Sequence, residues 1–232
     1  MEPLKWLIFD RRIHSLVSYS TNNFPKDMPT MQLLVISGSH QRNSQSSKVA
    51  RHLAQRSVEL QLFASSEVLD LSASTIPFWD EGAFDPKHEQ WKTQLSELND
   101  QLRAAAAYIL VSPEWHGTVP SRLKNLMLFF SSATVGHKPA LIAAVSGSRG
   151  GAYPVVELRA TAYKNSRLCF IPEHLIVRNV GEVMNDGEPQ GEEDGYIRDR
   201  GDFALRGLAE YARAMATMDR SILISKEYAN GM

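Results

Sequence analysis

The sequence of residues 32–47, QLLVISGSHQRNSQSS, joins a short apolar run to a glycine and a serine-rich polar stretch. The apolar run Gln32–Ser37 stops at Gly38, which is typical of a strand buried on both faces. From Val49 to Leu60, apolar residues recur close to the helical period. A strand, a glycine turn and an amphipathic helix predict the first unit of a parallel α/β sheet.

The same alternation of strand and helix continues along the chain. Four more strands are predicted at residues 68–71, 108–112, 139–146 and 171–177, and four more helices at residues 91–102, 121–132, 155–165 and 205–215. This alternation indicates a parallel sheet that is covered on both faces. Because the sequence contains no internal repeat, we predict an α/β fold with one doubly wound, five-stranded parallel sheet and helices on both faces.

Two segments depart from this pattern. Residues 18–29 are polar and contain two prolines, which predicts a linker. We therefore predict that residues 1–30 form an N-terminal extension outside the fold and that residues 31–232 form the domain. The alternative is that the extension is a docking arm for a partner subunit. Residues 181–202 carry eight acidic side chains, two arginines and five glycines, which predicts a mobile surface loop.

The overall composition excludes several classes of protein. The 25 basic and 26 acidic residues leave a formal net charge of −1, whereas nucleic-acid-binding proteins usually carry surplus Lys and Arg. No stretch approaches the ~20 apolar residues of a membrane span. The single cysteine, Cys169, excludes an internal disulfide and a cysteine-rich metal cluster. We therefore expect a cytoplasmic protein with no nucleic-acid, membrane or metal partner.

Ligands of open parallel sheets bind beyond the carboxyl ends of the strands, so we first consider residues 38–47. Their hydroxyl groups and backbone N–H groups lie at a predicted helix N-terminus, which favours an anion. Arg42 adds a planar cation that suits phosphate oxygens. The segment matches neither a dinucleotide-binding glycine turn nor a Walker loop, so a terminal monophosphate fits better. The alternative is that Ser44 only caps the helix.

Residues 112–125, SPEWHGTVPSRLKN, follow a second strand. Two prolines stiffen a loop that carries a carboxylate, an aromatic ring and an imidazole. A flat heterocycle could lie against this surface and accept hydrogen bonds from backbone amides. The alternative is an ordinary connection capped by Ser121, with Trp115 in the core and His116 on the surface.

Residues 146–152, SGSRGGA, follow a third strand. Glycines in such a turn let the backbone approach a ligand closely. The nucleophile elbow of α/β-hydrolases, Gly-x-Ser-x-Gly, occurs nowhere in the chain.

Together, these three loops resemble the NAD(P)H-dependent FMN reductase family, which consists of flavodoxin-like flavoproteins and includes quinone and azo-compound reductases. The family patterns are Gly-Ser-x-Arg-x-x-Ser, Pro-Glu-Tyr-Asn-x-Ser-x-Pro-x-x-Leu-Lys-Asn and a Ser-Gly-Gly-type turn. The matching positions here are Gly38, Ser39 and Ser44, then Pro113, Glu114, Thr118, Pro120, Leu123, Lys124 and Asn125, then Ser146 and Gly147.

Three positions depart from the family patterns. Gln41 stands where the family has Arg, and Arg42 follows one place later, so either residue could contact the phosphate. Trp115 replaces Tyr and keeps an aromatic ring near the flavin. His116 replaces Asn and could change what contacts the flavin edge.

The resemblance implies a flavodoxin-like fold, an FMN cofactor and NADPH or NADH as electron donor. The residues implied at the FMN phosphate are Ser39, Arg42, Ser44, Gln45 and Ser46. Those implied around the isoalloxazine are Pro113, Glu114, Trp115, His116, Ser146, Gly147 and Gly150. Hydride would pass through the flavin to a quinone, flavin or azo acceptor by a ping-pong mechanism with no catalytic side chain. The family also implies a homodimer or homotetramer.

Two other functions stay open at this point. A flavodoxin-like protein can be an electron carrier or redox sensor without efficient nicotinamide turnover. A serine hydrolase would use Ser39, Ser44 or Ser148 as nucleophile with His116 as base, although the missing nucleophile elbow disfavours it.

Overall fold

A computed structural model of the protein describes residues 7–11, 14–21, 30–73, 76–85, 87–225 and 227–228. The strands are β1 (Leu7–Arg11), β2 (His14–Ser20), β3 (Gln32–Ser37), β4 (Ser65–Asp70), β5 (Ala107–Pro113), β6 (Pro139–Val145) and β7 (Cys169–Val177). The α-helices are α1 (Gln45–Glu59), α2 (Glu89–Ala104), α3 (Ser121–Met127), α4 (Ala152–Thr161), α5 (Glu192–Ala216) and α6 (Arg220–Leu223), and Glu81–Phe84 form a 3-10 helix.

The strands form one sheet in the order β1-β2-β4-β3-β5-β6-β7. The five strands from β4 to β7 are parallel, as predicted. Since β3 is the first parallel strand in the chain and lies between β4 and β5, the strand order reverses at β3. This is the order of a flavodoxin-like sheet, and it places the ligand crevice at the carboxyl ends of β3 and β5.

The sheet is covered on both faces because alternate strand residues point to opposite sides. Leu33 and Val35 pack with α1 and α5. Leu34 and Ile36 pack with α2, α3 and α4. All residues of β5 and β6 are buried, which explains why these strands are continuous apolar runs in the sequence.

Two N-terminal strands were not predicted. β2 pairs antiparallel with β4 from Leu16 to Ser20, and β1 pairs with β2. The prediction that residues 1–30 lie outside the fold is therefore wrong for these strands. An antiparallel strand need not be a continuous apolar run, and β2 mixes polar with apolar residues, with alternation only from Val17 to Ser20. The predicted linker at residues 22–29 lies outside the described residues.

The acidic segment is also different from the prediction, because α5 begins at Glu192 and not near residue 205. Asp194 is 1% exposed and accepts hydrogen bonds from the N–H groups of Met184 and Gln190 at 2.7 and 2.9 Å. It also forms an ion pair with Arg198 at 2.9 Å. Although burial opposes ionisation, these hydrogen bonds lower the pKa of Asp194 to about 2. Much of the predicted mobile loop is thus the ordered start of a helix.

Among the described helices, none combines the length and apolar character needed to span a bilayer.

Candidate functional site

Three connections meet at the carboxyl ends of β3, β5 and β6, which are neighbours in the sheet. We name residues 38–44 the first loop, residues 114–120 the second loop and residues 146–151 the third loop. Backbone hydrogen bonds fix their starts: Gly38 N–H donates to Val111 O at 2.8 Å, and Glu114 N–H donates to Val145 O at 2.9 Å. The structure therefore brings together the three segments singled out in the sequence.

The first loop needs glycine at the point where it leaves β3. A Cβ atom on Gly38 would lie 2.7 Å from Leu123 Cδ2 and 2.9 Å from Val111 O. Because Val111 O belongs to the backbone of β5, a larger residue would displace the loop from β5 as well as from α3.

The first loop ends in an N-cap that leaves donors available. Ser44 Oγ accepts from Ser47 N–H at 3.1 Å, and buried Ser39 Oγ accepts from Gln41 N–H at 3.1 Å. The N–H groups of Gln45 and Ser46, in the first turn of α1, have no helical carbonyl to bond. Ser44 therefore caps α1, as the alternative interpretation of this loop predicted. The capped helix end also favours an anion.

Arg42 and Gln41 are both exposed on the first loop. Arg42 borders a cleft that extends toward Asp70, the last residue of β4, and toward Ser72 just after it. Asp70 is already bonded, because Ser47 Oγ donates to its Oδ2 at 2.6 Å and Ser72 N–H donates to its Oδ1 at 3.0 Å.

The second loop folds back on itself in a tight turn. Trp115 and Thr118 exchange backbone hydrogen bonds at 3.3 and 3.0 Å. The two residues between them, His116 and Gly117, have φ of 50° and 72°. Positive φ at both central residues is characteristic of a type I′ turn, which Asn and Gly adopt most readily. The turn leaves the His116 side chain exposed at its tip.

Trp115 joins the second loop to the first. Its ring meets His40 edge to face, with centroids 4.7 Å apart and planes at 84°. Such an arrangement is favourable for aromatic rings. Trp115 is half-buried, so it is part of the wall between the two loops and not of the core.

Two carboxylates connect the second loop to α4, one on the loop and one on the helix. Glu114 accepts hydrogen bonds from the N–H groups of Gly151 and Tyr153 at 2.7 and 3.2 Å, so it caps α4 from outside the helix. Glu157 of α4 accepts from Val119 N–H at 2.8 Å. The second loop, third loop and α4 are therefore held as one unit.

Glu157 and Lys124 support the second loop, although the sequence patterns give neither of them this role. They form an ion pair at 2.5 Å that links α3 to α4. Although burial opposes ionisation, hydrogen bonds from Lys124 and Val119 lower the pKa of Glu157. Lys124 belongs to the second-loop pattern, but a lone acid inside a helix carries no sequence signal.

The third loop follows β6 and carries two backbone N–H groups that donate to no described residue. Ser146 is buried, and its Oγ accepts from Ser148 N–H at 3.2 Å. Within the described chain, the N–H groups of Gly147 and Gly150 bond to no other residue, and a Cβ on Gly147 would meet nothing within 4 Å. A Cβ on Gly150 would lie 2.7 Å from Glu114 Oε1, so the Glu114 contact requires glycine there.

The serine-hydrolase alternative has no geometric support. In the part of the chain that the structure describes, His116 forms no hydrogen bond with Ser39, Ser44 or Ser148. A nucleophile and its base need such a contact.

The chain is similar in sequence to two azoreductases. It is 25% identical over 167 residues to the NADPH azoreductase of Bacillus sp. (strain OY1-2), a match that covers 68% of this chain and 85% of the relative. It is 29% identical over 129 residues to the FMN-dependent NADPH-azoreductase of Staphylococcus aureus (strain USA300), covering 56% of this chain and 68% of that protein.

A solved structure supports the class of fold. The flavoenzyme NAD(P)H:acceptor oxidoreductase of Paracoccus denitrificans superposes with a TM-score of 0.61 over 80% of this chain and 98% of that one, at 15% identity. The protein thus has a flavodoxin-like α/β fold.

The family model for NADPH-dependent FMN reductase matches residues 31–182, and the chain belongs to this family. The family and the enzyme class predicted from the loops, an NAD(P)H-dependent FMN reductase-type oxidoreductase, are confirmed.

Proposed function

We propose that the protein binds FMN across the first, second and third loops and uses it to pass hydride from a nicotinamide to a small-molecule acceptor. The observation that carries this proposal is the convergence of the three loops around one crevice, in a chain of the NADPH-dependent FMN reductase family.

The first loop fits the phosphate end of FMN. The N–H groups of Gln45 and Ser46 are available at the start of α1, and the hydroxyl groups of Ser39 and Ser44 lie in the same turn. Arg42 is the only arginine or lysine of the first loop. A phosphate there would gain both helix-end hydrogen bonds and a countercharge.

The second and third loops fit the ring end of FMN. The N–H groups of Gly147 and Gly150 have no partner among the described residues and could donate to carbonyl oxygens of a flat ring. Trp115, braced by His40, supplies an aromatic wall. Pro113 ends β5 and Ser146 follows β6, and with the turn at His116 they would border the ring.

FMN supplies the hydride chemistry when it is bound. The side chains around it bind and orient the ring, and the three loops hold no hydrogen-bonded nucleophile and base within the described residues. We therefore assign no catalytic residue. Nicotinamide and acceptor would reach the same open side of the crevice in turn, which predicts ping-pong kinetics.

The acceptor class follows from the relatives. Two similar proteins are named as azoreductases that use NADPH, and we infer that this chain reduces azo or quinone-type compounds with NADPH or NADH.

Steady-state kinetics of the FMN-loaded protein test this proposal against the electron-carrier alternative. We expect rapid oxidation of NADPH or NADH in the presence of a quinone or azo dye, with parallel lines in double-reciprocal plots. A protein that binds FMN but oxidises neither nicotinamide would be a carrier. Ester hydrolysis by a flavin-free preparation would favour the hydrolase.

A further inference from the structure

A cavity of about 580 Å³ lies at the opposite edge of the sheet from the three loops, where α4 ends and β7 begins. The lining residues used below are Arg159, Tyr163, Lys164, Arg167, Leu168, Cys169 and Phe170. The crevice lies at the carboxyl ends of the parallel strands, whereas this cavity lies at their amino ends. Because β6 has seven residues, roughly 20 Å separate the two places. The cavity is therefore not part of the proposed FMN site.

Part of the lining is apolar or aromatic. Leu168 is buried, and Phe170 is half-buried and packs against the core on the α2, α3 and α4 face of the sheet. The Tyr163 side chain, by contrast, is 54% exposed. Concave sites with mostly apolar walls and a few polar groups are typical of small-molecule binding. This part of the cavity therefore fits the apolar body of a ligand.

The charged part of the lining is basic. Its described charged residues are Arg159, Lys164 and Arg167, and no Asp or Glu is among the described lining residues. Arg167 donates to Tyr228 O. Arg159 Nη2 donates to backbone carbonyls of β7 at 2.8 to 3.4 Å and forms no ion pair with a described residue. The Lys164 ammonium forms no hydrogen bond or ion pair with a described residue. Arg159 and Lys164 thus have no countercharge in the described chain.

Neither the adjacent strand nor the end of α4 uses these two charges. Glu173, the only acidic residue of β7, forms an ion pair with Arg200 at 2.8 Å. The carbonyl of Ala162, where α4 ends, accepts from Ser166 Oγ at 2.8 Å. The two cations are therefore available to an external anion.

The backbone around the cavity has an unusual conformation. His137, Asn165 and Arg167 line the cavity and have φ of 55°, 61° and 56°. Asn adopts this left-handed region more readily than Arg does. Such residues persist where the surrounding structure holds them, and they cluster at ligand sites. Here the His137 N–H donates to Arg167 O at 2.9 Å, which joins two of these residues directly.

We propose that this cavity binds a small aromatic carboxylate. Its ring packs against Tyr163 and Phe170, and its carboxylate accepts hydrogen bonds from the two cations, Lys164 and Arg159. The volume of the cavity lies within the range of about 300–1,000 Å³ that is usual for small-molecule sites. This site goes beyond the proposed function, because nothing in it requires FMN or a nicotinamide.

Calorimetric titration of the FMN-loaded protein with 2-naphthoate tests the site. We expect 2-naphthoate to bind about tenfold or more tightly than its neutral analogue 2-naphthamide, because only the carboxylate gains charge-assisted hydrogen bonds. Lys164→Gln should weaken 2-naphthoate about fivefold to tenfold and leave 2-naphthamide unchanged. Lys92→Gln, which removes an exposed lysine on α2, is the matched control and should change neither. Equal affinity for the two probes, or equal effects of the two substitutions, would overturn the proposal.

Cys169 shows where the probe binds. It lines the cavity and is the only cysteine of the chain, so alkylation by iodoacetamide measures access to the cavity. We expect saturating 2-naphthoate to slow this alkylation severalfold while the flavin absorbance stays unchanged. An unchanged alkylation rate with a perturbed flavin spectrum would place the probe in the crevice and contradict the proposal. A protein that takes up no FMN, but in which 2-naphthoate still protects Cys169, would contradict the proposed function and support this site.

Discussion

At the scale of single residues, Glu114 has a role that its place in the second-loop pattern does not reveal. It is a candidate for contact with the flavin, yet its carboxylate accepts hydrogen bonds from two N–H groups at the N-terminus of α4. Its carboxylate therefore positions the third loop, and the third loop supplies the N–H groups of the crevice.

Glu114→Gln should weaken FMN binding about threefold to tenfold, because a neutral amide interacts less well with a helix N-terminus. Quenching of flavin fluorescence during titration measures this change. Glu97→Gln on α2 is the matched control and should bind FMN like the wild type. Unchanged affinity in Glu114→Gln would show that the third loop keeps its position without the charge.

The turn at His116 and Gly117 makes a second prediction. Because Asn tolerates positive φ better than other L residues, His116→Asn should raise the free energy of unfolding by up to about 1 kcal/mol. Gly117→Ala, at φ 72°, should lower it by about 1 kcal/mol or more. Urea denaturation measures both. A destabilised His116→Asn would mean that the imidazole makes a stabilising contact at the tip.

At the scale of elements, two buried charged side chains stabilise helix ends: Lys138 at the end of α2 and Asp194 at the start of α5. Lys138 is 4% exposed, and its Nζ donates to Leu102 O and Arg103 O at 2.8 and 2.9 Å at the end of α2. It also donates to Tyr108 Oη at 3.2 Å. Burial lowers the pKa of Lys138 from 10.5 to about 7.

This shift predicts a pH dependence of stability. Between pH 7 and 10.5 the unfolded state binds more protons at Lys138 than the folded state does, so stability from this residue rises with pH. The difference in unfolding free energy between the wild type and Lys138→Met should therefore grow with pH, approaching about 1.4 kcal/mol per pH unit in the middle of the window. A constant difference from pH 7 to 10 would show that Lys138 stays charged when buried.

Asp194 stabilises the start of α5 through its hydrogen bonds and its ion pair. Asp194→Asn should destabilise the fold by about 3 kcal/mol, because it leaves the partly buried Arg198 without its countercharge. Asp199→Asn, on the same helix, should cost less than about 0.5 kcal/mol. Equal effects of the two substitutions in urea would mean that the Asp194 network does not hold α5.

At the scale of the whole molecule, the sequence predicts the features that depend on which residues are buried and on the order of the strands and helices along the chain. β3, β5 and β6 are apolar runs because both their faces are covered, and parallel strands bring their following loops to one edge. The features that the sequence does not predict depend on contacts between residues that are distant in the chain. The Glu157–Val119 hydrogen bond, the pairing of β2 with β4 and the cleft beside Arg42 each join segments with no local pattern that connects them.

The central claim is that FMN bound across the three loops accepts hydride from a nicotinamide. Anaerobic titration of the FMN-reconstituted protein with NADPH, followed by the visible absorbance of the flavin, tests it most directly. We predict that about one equivalent of NADPH bleaches the bound flavin, by the two-electron chemistry of the cofactor, and that adding a quinone or azo dye restores the colour. A protein that takes up no FMN, or whose bound FMN keeps its colour under excess NADPH, would contradict the account.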